Sequence, residues 1–168
     1  LTVPALVWTP LSFAQQRLWF FSQLEAASTA YNIGGLLRFD GELDLDCLRH
    51  GLDQVYARHA ALRTVFAEHD GLAMQAVQPV APMPLELIDL RATPEQAEVQ
   101  ANAFIQRSYD LTQGPLVRCA LYCLGEGQHA FAIGMHHIIA DAWSFRVLVE
   151  EMAEFYRARQ QQREPVLS

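Results

Sequence analysis

Cysteine is scarce in this sequence: Cys47, Cys119 and Cys123 are the whole complement, an odd count with no Cys-x-x-Cys pair. That excludes a disulfide framework and suits reduced thiols. Cys119 and Cys123 fall on one face of a predicted strand, where core packing accounts for them. No Lys/Arg cluster occurs and the net charge is −7, which argues against nucleic acid and against an anionic membrane surface, since both need phosphates to be neutralised. No apolar run approaches the ~20 residues of a membrane span, and the start lacks a basic-then-apolar secretory signal. These absences predict a soluble, cytosolic chain. There is no internal repeat, no low-complexity segment and no Gly-x-Ser-x-Gly elbow, so a serine-nucleophile reading lacks its usual turn.

What is present is a chain of 168 residues, 51% hydrophobic and 18% charged, enough for one domain with a real core and incompatible with disorder. Ser12-Phe13-Ala14-Gln15 fits a capping box opening a helix with Leu18, Phe21 and Leu24 on its buried side. Gly34 to Phe39 reads as a strand closing at Asp40-Gly41. Leu45, Leu48, Leu52, Val55 and Tyr56 then give an amphipathic helix capped by Asp44. Asp70-Gly71 marks a hairpin between Leu62–Glu68 and Leu72–Gln78. A proline-rich connection from Pro79 to Pro84 leads to a short strand, Leu85–Ile88. Thr93-Pro94 opens a helix reaching toward Arg107. Strands follow from Leu116 to Leu124 and over Phe131–Met135, joined at Gly125-Glu126-Gly127. The last helix carries Phe145, Leu148, Val149, Met152, Phe155 and Tyr156 at helical spacing. Its Glu150, Glu151, Glu154 and later Arg157, Arg159, Arg163 read as a solvated face ordered by the helix dipole. Interleaved strands and helices with hairpins among them predict an α/β sandwich with a mixed sheet.

Chemistry concentrates at His136-His137-Ile138-Ile139-Ala140-Asp141-Ala142-Trp143-Ser144, where an apolar strand gives way to a helix, the usual place for functional groups. Successive side chains of an extended backbone point to opposite faces, so only one imidazole enters a given cavity and the other is structural. The exposed one can serve as a base, since an unperturbed imidazole titrates near pH ~6.5. Asp141 can orient it or hold the loop through a cation elsewhere. The competing reading makes both imidazoles satisfied core groups and Asp141 or Ser144 a helix cap. Zinc is disfavoured, because adjacent imidazoles do not converge as His-x-x-x-His does, and no metal site is expected.

This segment resembles the His-His-x-x-x-Asp-Gly signature of nonribosomal peptide synthetase condensation domains, in the chloramphenicol-acetyltransferase-like superfamily. Leu11-Ser12-Phe13-Ala14-Gln15-Gln16-Arg17-Leu18-Trp19-Phe20 resembles the family's opening motif, and Arg58-His59-Ala60-Ala61-Leu62-Arg63-Thr64-Val65-Phe66 its second. The three stand in family order across nearly the whole chain. The resemblance implies a chloramphenicol-acetyltransferase-like α/β sandwich of which this is the N-terminal lobe only: residues 1–10 a lead-in, 11–160 the lobe, and 161–168 the start of a linker to a missing C-terminal lobe. It implies amide formation between aminoacyl or peptidyl thioesters, with His137 facing the channel and His136 its structural neighbour. Asp141 would organise the loop with Arg63 as partner, and Ala142, Trp143 and Ser144 would support the motif. No cofactor is implied on the lobe itself, the substrates being carried on the phosphopantetheine of donor and acceptor carrier proteins. Neighbouring synthetase modules and the second lobe complete the implied partners.

Two positions depart from the family pattern. Ala142 stands where the family has Gly, and its methyl would obstruct a pantetheine arm or strain a backbone that wants positive φ, unless the site tolerates it. Ala60 replaces the second motif's usual Glu, a surface matter. Other readings stay open: a non-catalytic lobe that docks carrier proteins, a related epimerisation domain, or a coenzyme A-dependent acyltransferase. A cyclisation domain fits less well, because its motif replaces the histidine pair with aspartates.

Overall fold

A computed structural model describes residues 5–25, 28–140 and 142–168, with backbone alone for 142–144. The capping box forms as read: Gln15 N–H donates to Ser12 Oγ (3.2 Å) and Ser12 N–H to Gln15 Oε1 (2.9 Å), so two otherwise orphaned donors open helix α1, Phe13–Leu24. Its buried face is only partly the expected one: Leu18 packs against the core as read. Trp19 is the buried residue of the helix, while Phe21 is 39% and Leu24 65% exposed. Periodicity shows where apolar residues cluster, not what covers them.

Before α1 lies strand β1, Trp8–Pro10. After it come β2, Asn32–Asp40, and helix α2, Leu45–Arg58. Asp44 caps α2 by accepting from Cys47 N–H (3.0 Å), and the stripe Leu48, Leu52, Val55 and Tyr56 is buried. A 3-10 turn, Ala60–Arg63, leads into the hairpin of β3, Thr64–His69, and β4, Leu72–Val77. Asp70 and Gly71 both adopt positive φ (52° and 78°), the turn geometry that Asp-Gly favours. Strand β5 is Leu85–Asp89. Thr93 makes no side-chain cap. A 3-10 turn over Pro94–Gln96 precedes helix α3, Ala97–Ile105, which ends short of Arg107. Strands β6, Val117–Gly125, and β7, Gln128–His136, and helix α4, Ala142–Gln160, complete the order.

The strands form two sheets, β1-β4-β3 and β2-β7-β6-β5. The second is mixed, with β5 parallel to β6 and its other pairs antiparallel. A parallel pair needs a crossover, and α3 supplies it. Ala120, Tyr122, Ala130 and Ala132 pack on α3 with Ala97, Ala101 and Phe104. From the opposite face Cys119, Leu121, Phe131, Ile133 and Met135 pack into the larger core with residues of α2 and α4. Cys119 is fully buried, which pushes its thiol above the ordinary range, and all three cysteines are free.

The acidic and basic residues of α4 are not all solvated. Glu151 is buried, and Glu154 is 15% exposed while accepting from Arg157 and Arg163. Those bonds, with one from Val166 N–H (3.0 Å), hold the Glu154 carboxyl down at about 2. Residues 161–168 thus fold back along α4, and Leu167 packs on the core. No helix among the described residues is long and apolar enough to cross a membrane.

Candidate active site

The end of β7 and the turn after it place the two imidazoles in different surroundings. His136 is still in the sheet, paired with Asn32 of β2, and is 5% exposed. The Ile138 N–H donates to its Nδ1 (3.0 Å), which puts the proton of the neutral ring on Nε2. Burial first, and the neighbouring His137 second, push the His136 imidazole down to about 4. Tyr31 and Tyr109 stand 6.4 and 6.3 Å from it, the latter edge-on at 86°. Tyr109 is itself buried under the Arg118 guanidinium, 3.8 Å from its ring, and burial pushes its phenol up to about 12. Asn32 fixes this corner by donating from Nδ2 to the Ile105 and Arg107 carbonyls (2.9 and 2.8 Å) at the end of α3.

One residue on, the strand has ended. The His137 N–H donates to the Tyr31 carbonyl (2.8 Å), and the side chain is exposed. It lines a cavity of about 350 Å³ with Phe13, Ala14, Arg17, Leu18 and Tyr31. The opening motif therefore walls the cavity that the third motif's second histidine enters. His136 lines a separate cavity of about 420 Å³, bounded by the far end of α1 and residues 108–112, and Tyr31 borders both. An exposed imidazole beside a cation and apolar walls can accept a proton from a nucleophile held in that space.

The remaining predicted site residues lie elsewhere or outside the described residues. Asp141 lies outside them, as do the side chains of Ala142, Trp143 and Ser144. The backbone of those three opens α4 in helical conformation. Ala142 therefore does not occupy the positive-φ position that would strain a β-carbon, and Ser144 sits inside the first turn instead of capping it. Among the described residues, half-buried Arg63 donates to three backbone carbonyls, Nε to Tyr56 (3.1 Å), Nη1 to Gln78 (2.7 Å) and Nη2 to Ala57 (3.2 Å), while its expected partner Asp141 lies outside them. Arg63 ties the end of α2 to the end of β4, a role the motif comparison did not suggest. Ala60 is exposed. Among the described residues no group of three His, Cys, Asp or Glu side chains could hold a metal ion.

Sequence reading also missed Glu151, which accepts from His59 Nε2 at 2.5 Å and lies 3.4 Å from Arg58 Nε. The signal was available: with Leu148, Met152 and Phe155, Glu151 takes the i+3 slot of a buried helical stripe.

A family model described as Condensation domain matches residues 8–168. A linear gramicidin synthase of Brevibacillus parabrevis is 43% identical over 154 residues, covering 89% of this chain and 2% of that protein. Cyclosporin synthetase simA of Tolypocladium inflatum is 41% identical over 158 residues, covering 94% and 1%. Among solved structures, the starter condensation domain of rhizomide synthetase RzmA superposes with a TM-score of 0.89 at 27% identity, covering 96% of this chain and 40% of that one. The first condensation domain of the CDA synthetase gives 0.86 at 28%, covering 96% and 43%. A variant of the RzmA domain is solved in complex with C8-CoA and Leu-SNAC. The chain spans a small fraction of these synthetases and about 40% of the solved domain.

Proposed function

The chain belongs to the condensation domain family, and on that premise we propose that it is the N-terminal lobe of a domain forming amide bonds between carrier-tethered acyl thioesters in nonribosomal peptide synthesis. The observation that carries this reading is the division of labour between adjacent imidazoles. His136 is buried, neutral and bonded to the turn it supports; His137 is exposed in a cavity walled by the opening motif. In the proposed reaction the amine of the acceptor attacks the donor's thioester carbonyl, its proton passes to His137 Nδ1 or Nε2, and the thiolate of the donor carrier leaves. A free α-amine has a pKa of ~7.7–8.0, so a useful fraction is neutral before any base acts. Holding two tethered reactants together supplies ~7–11 kcal/mol of an otherwise bimolecular barrier.

The thioester ligands of the RzmA domain support the substrate class. The partners under this reading are donor and acceptor carrier proteins bearing phosphopantetheine, a second lobe that roofs the cavity, and the neighbouring modules. The lobe alone, with half a channel, is inactive, and its place is the cytosol. The test is to assay amide formation between carrier-bound substrates with the second lobe supplied in cis or in trans. His137→Ala lowers the rate by about 10²–10⁴, the range of a lost general base, while carrier binding persists. Activity that survives in His137→Ala removes the catalytic assignment. The exposed apolar residues Phe13, Phe20 and Leu24 on α1 favour one alternative, a docking lobe without catalysis, which absence of turnover in every pairing would select.

A further inference from the structure

Helix α4 begins five residues after His137, at Ala142, so a shift of α4 along its axis pulls on the turn that carries the imidazole. Polar ties between α2 and α4 occur at three levels among the described residues. Asp44 N–H donates to Tyr156 Oη (2.9 Å), Arg159 Nη1 meets His50 Nδ1 (3.2 Å), and His59 and Arg58 hold Glu151. The Glu151 tie is nearest the motif. His59 also ends α2, its N–H donating to Val55 (3.1 Å), so its imidazole is anchored at its own backbone. Between this pair and the motif lies a cavity of about 270 Å³ that Ile139, Ala140 and Leu148 line together with His59 and Glu151.

Stability alone does not explain a carboxylate here. Glu151 is 8% exposed while His59 is 30% exposed, and the desolvation of a buried charge roughly cancels what its partner returns. Apolar replacement of such a pair is often neutral or stabilising. What a directional buried polar pair adds over apolar packing, in systems where it sets registry, is one permitted alignment of two elements. At the neighbouring turn the helices approach closely, a β-carbon on Gly51 coming to 3.0 Å from the Met152 carbonyl oxygen.

We infer that His59 and Glu151 form a positioning clamp through which the second motif sets the register of α4 and hence the aim of His137 in the amide-forming reaction. This rests on the function proposed above. Neither residue touches substrate; both act through the helix.

The clamp is tested in the full condensation domain that carries this chain, by replacing both partners with apolar residues in a His59→Leu/Glu151→Leu double variant. The melting temperature stays at or above that of the parent. The turnover rate at saturating substrate falls toward the ~100-fold scale of a 1 Å misplacement, while KM and carrier-protein affinity are unchanged. Should the double variant fail to fold, His59→Gln is measured instead: it loses rate without losing affinity, and His59→Lys, which places a donor able to reach Glu151 at that position, recovers part of it. A turnover within twofold of the parent in a folded variant overturns the inference, as does a loss matching only the loss of folded protein. His137→Ala in the same assay separates the two claims. If it is inactive and the clamp variants are fully active, only the clamp is wrong; if it is active, the underlying function is wrong and the clamp falls with it.

Discussion

His136 carries a pH liability that the fold accepts in order to shape the turn. Its folded pKa is about 4 because the ring is buried, against ~6.5 in an unfolded chain. Between those values the unfolded state binds the extra proton, so stability is present above pH ~6.5 and drains away as pH falls toward 4. The loss between pH 7 and pH 5 from this residue is about 2 kcal/mol. His136→Asn keeps an acceptor for the Ile138 N–H and removes the titration. Urea unfolding at the two pH values shows a shallower pH dependence in the variant; an unchanged slope means that the ring is already protonated or solvated in the fold. That one imidazole of the pair would be structural is legible in the sequence, because strand alternation forbids both from sharing a cavity. Which surroundings each meets is not legible, since Tyr109, Asn32 and the end of α3 come from far along the chain.

At the scale of elements, close approach of strand and helix depends on a pair of glycines facing each other across β2 and β7. Gly34 pairs with Gly134, and a β-carbon at Gly34 would sit against the Ile133 carbonyl oxygen and 2.8 Å from Ile105 Cγ2. Backbone cannot yield as a flexible side chain does, so Gly34→Ala destabilises by about 1–3 kcal/mol, the usual cost of overpacking. A lowered denaturation midpoint with unchanged slope is the outcome that checks it; wild-type stability means the sheet has more room than its geometry implies. Element by element, legibility follows locality. Asp44 with the α2 stripe, the Ser12–Gln15 box and the Asp70-Gly71 turn are all written within a few residues. The parallel pairing of β5 with β6 is not, and neither is the burial of Glu151, whose partner His59 lies just past the end of another helix. The second motif could be matched by resemblance, yet what Arg63 does with its donors, bonding three carbonyls, only the packed structure shows.

For the molecule as a whole, one side is apolar and open. Phe13 is 86%, Phe20 60% and Leu24 65% exposed along α1, beside the cavity that His137 enters, an arrangement that in soluble proteins marks a surface meant to be covered. The chain by itself therefore binds the apolar dye ANS, and Phe13→Ser/Phe20→Ser lowers that fluorescence severalfold without changing the melting temperature. Dye binding equal in the parent and the double variant means that the apolar surface lies elsewhere. The same dye signal falls when the second lobe is supplied, if that lobe is what covers α1. Composition anticipates none of this, because a 51% hydrophobic chain is compatible with a fully closed core.

Tyr31 has one further consequence. Its ring borders the hollow of His136 and that of His137 at once, while its carbonyl holds the His137 backbone. A change of side chain there alters two compartments together, so a kinetic effect at position 31 belongs to neither alone, and an engineer wishing to enlarge just one must trim the walls they do not share, Leu18 on one side or Leu111 on the other.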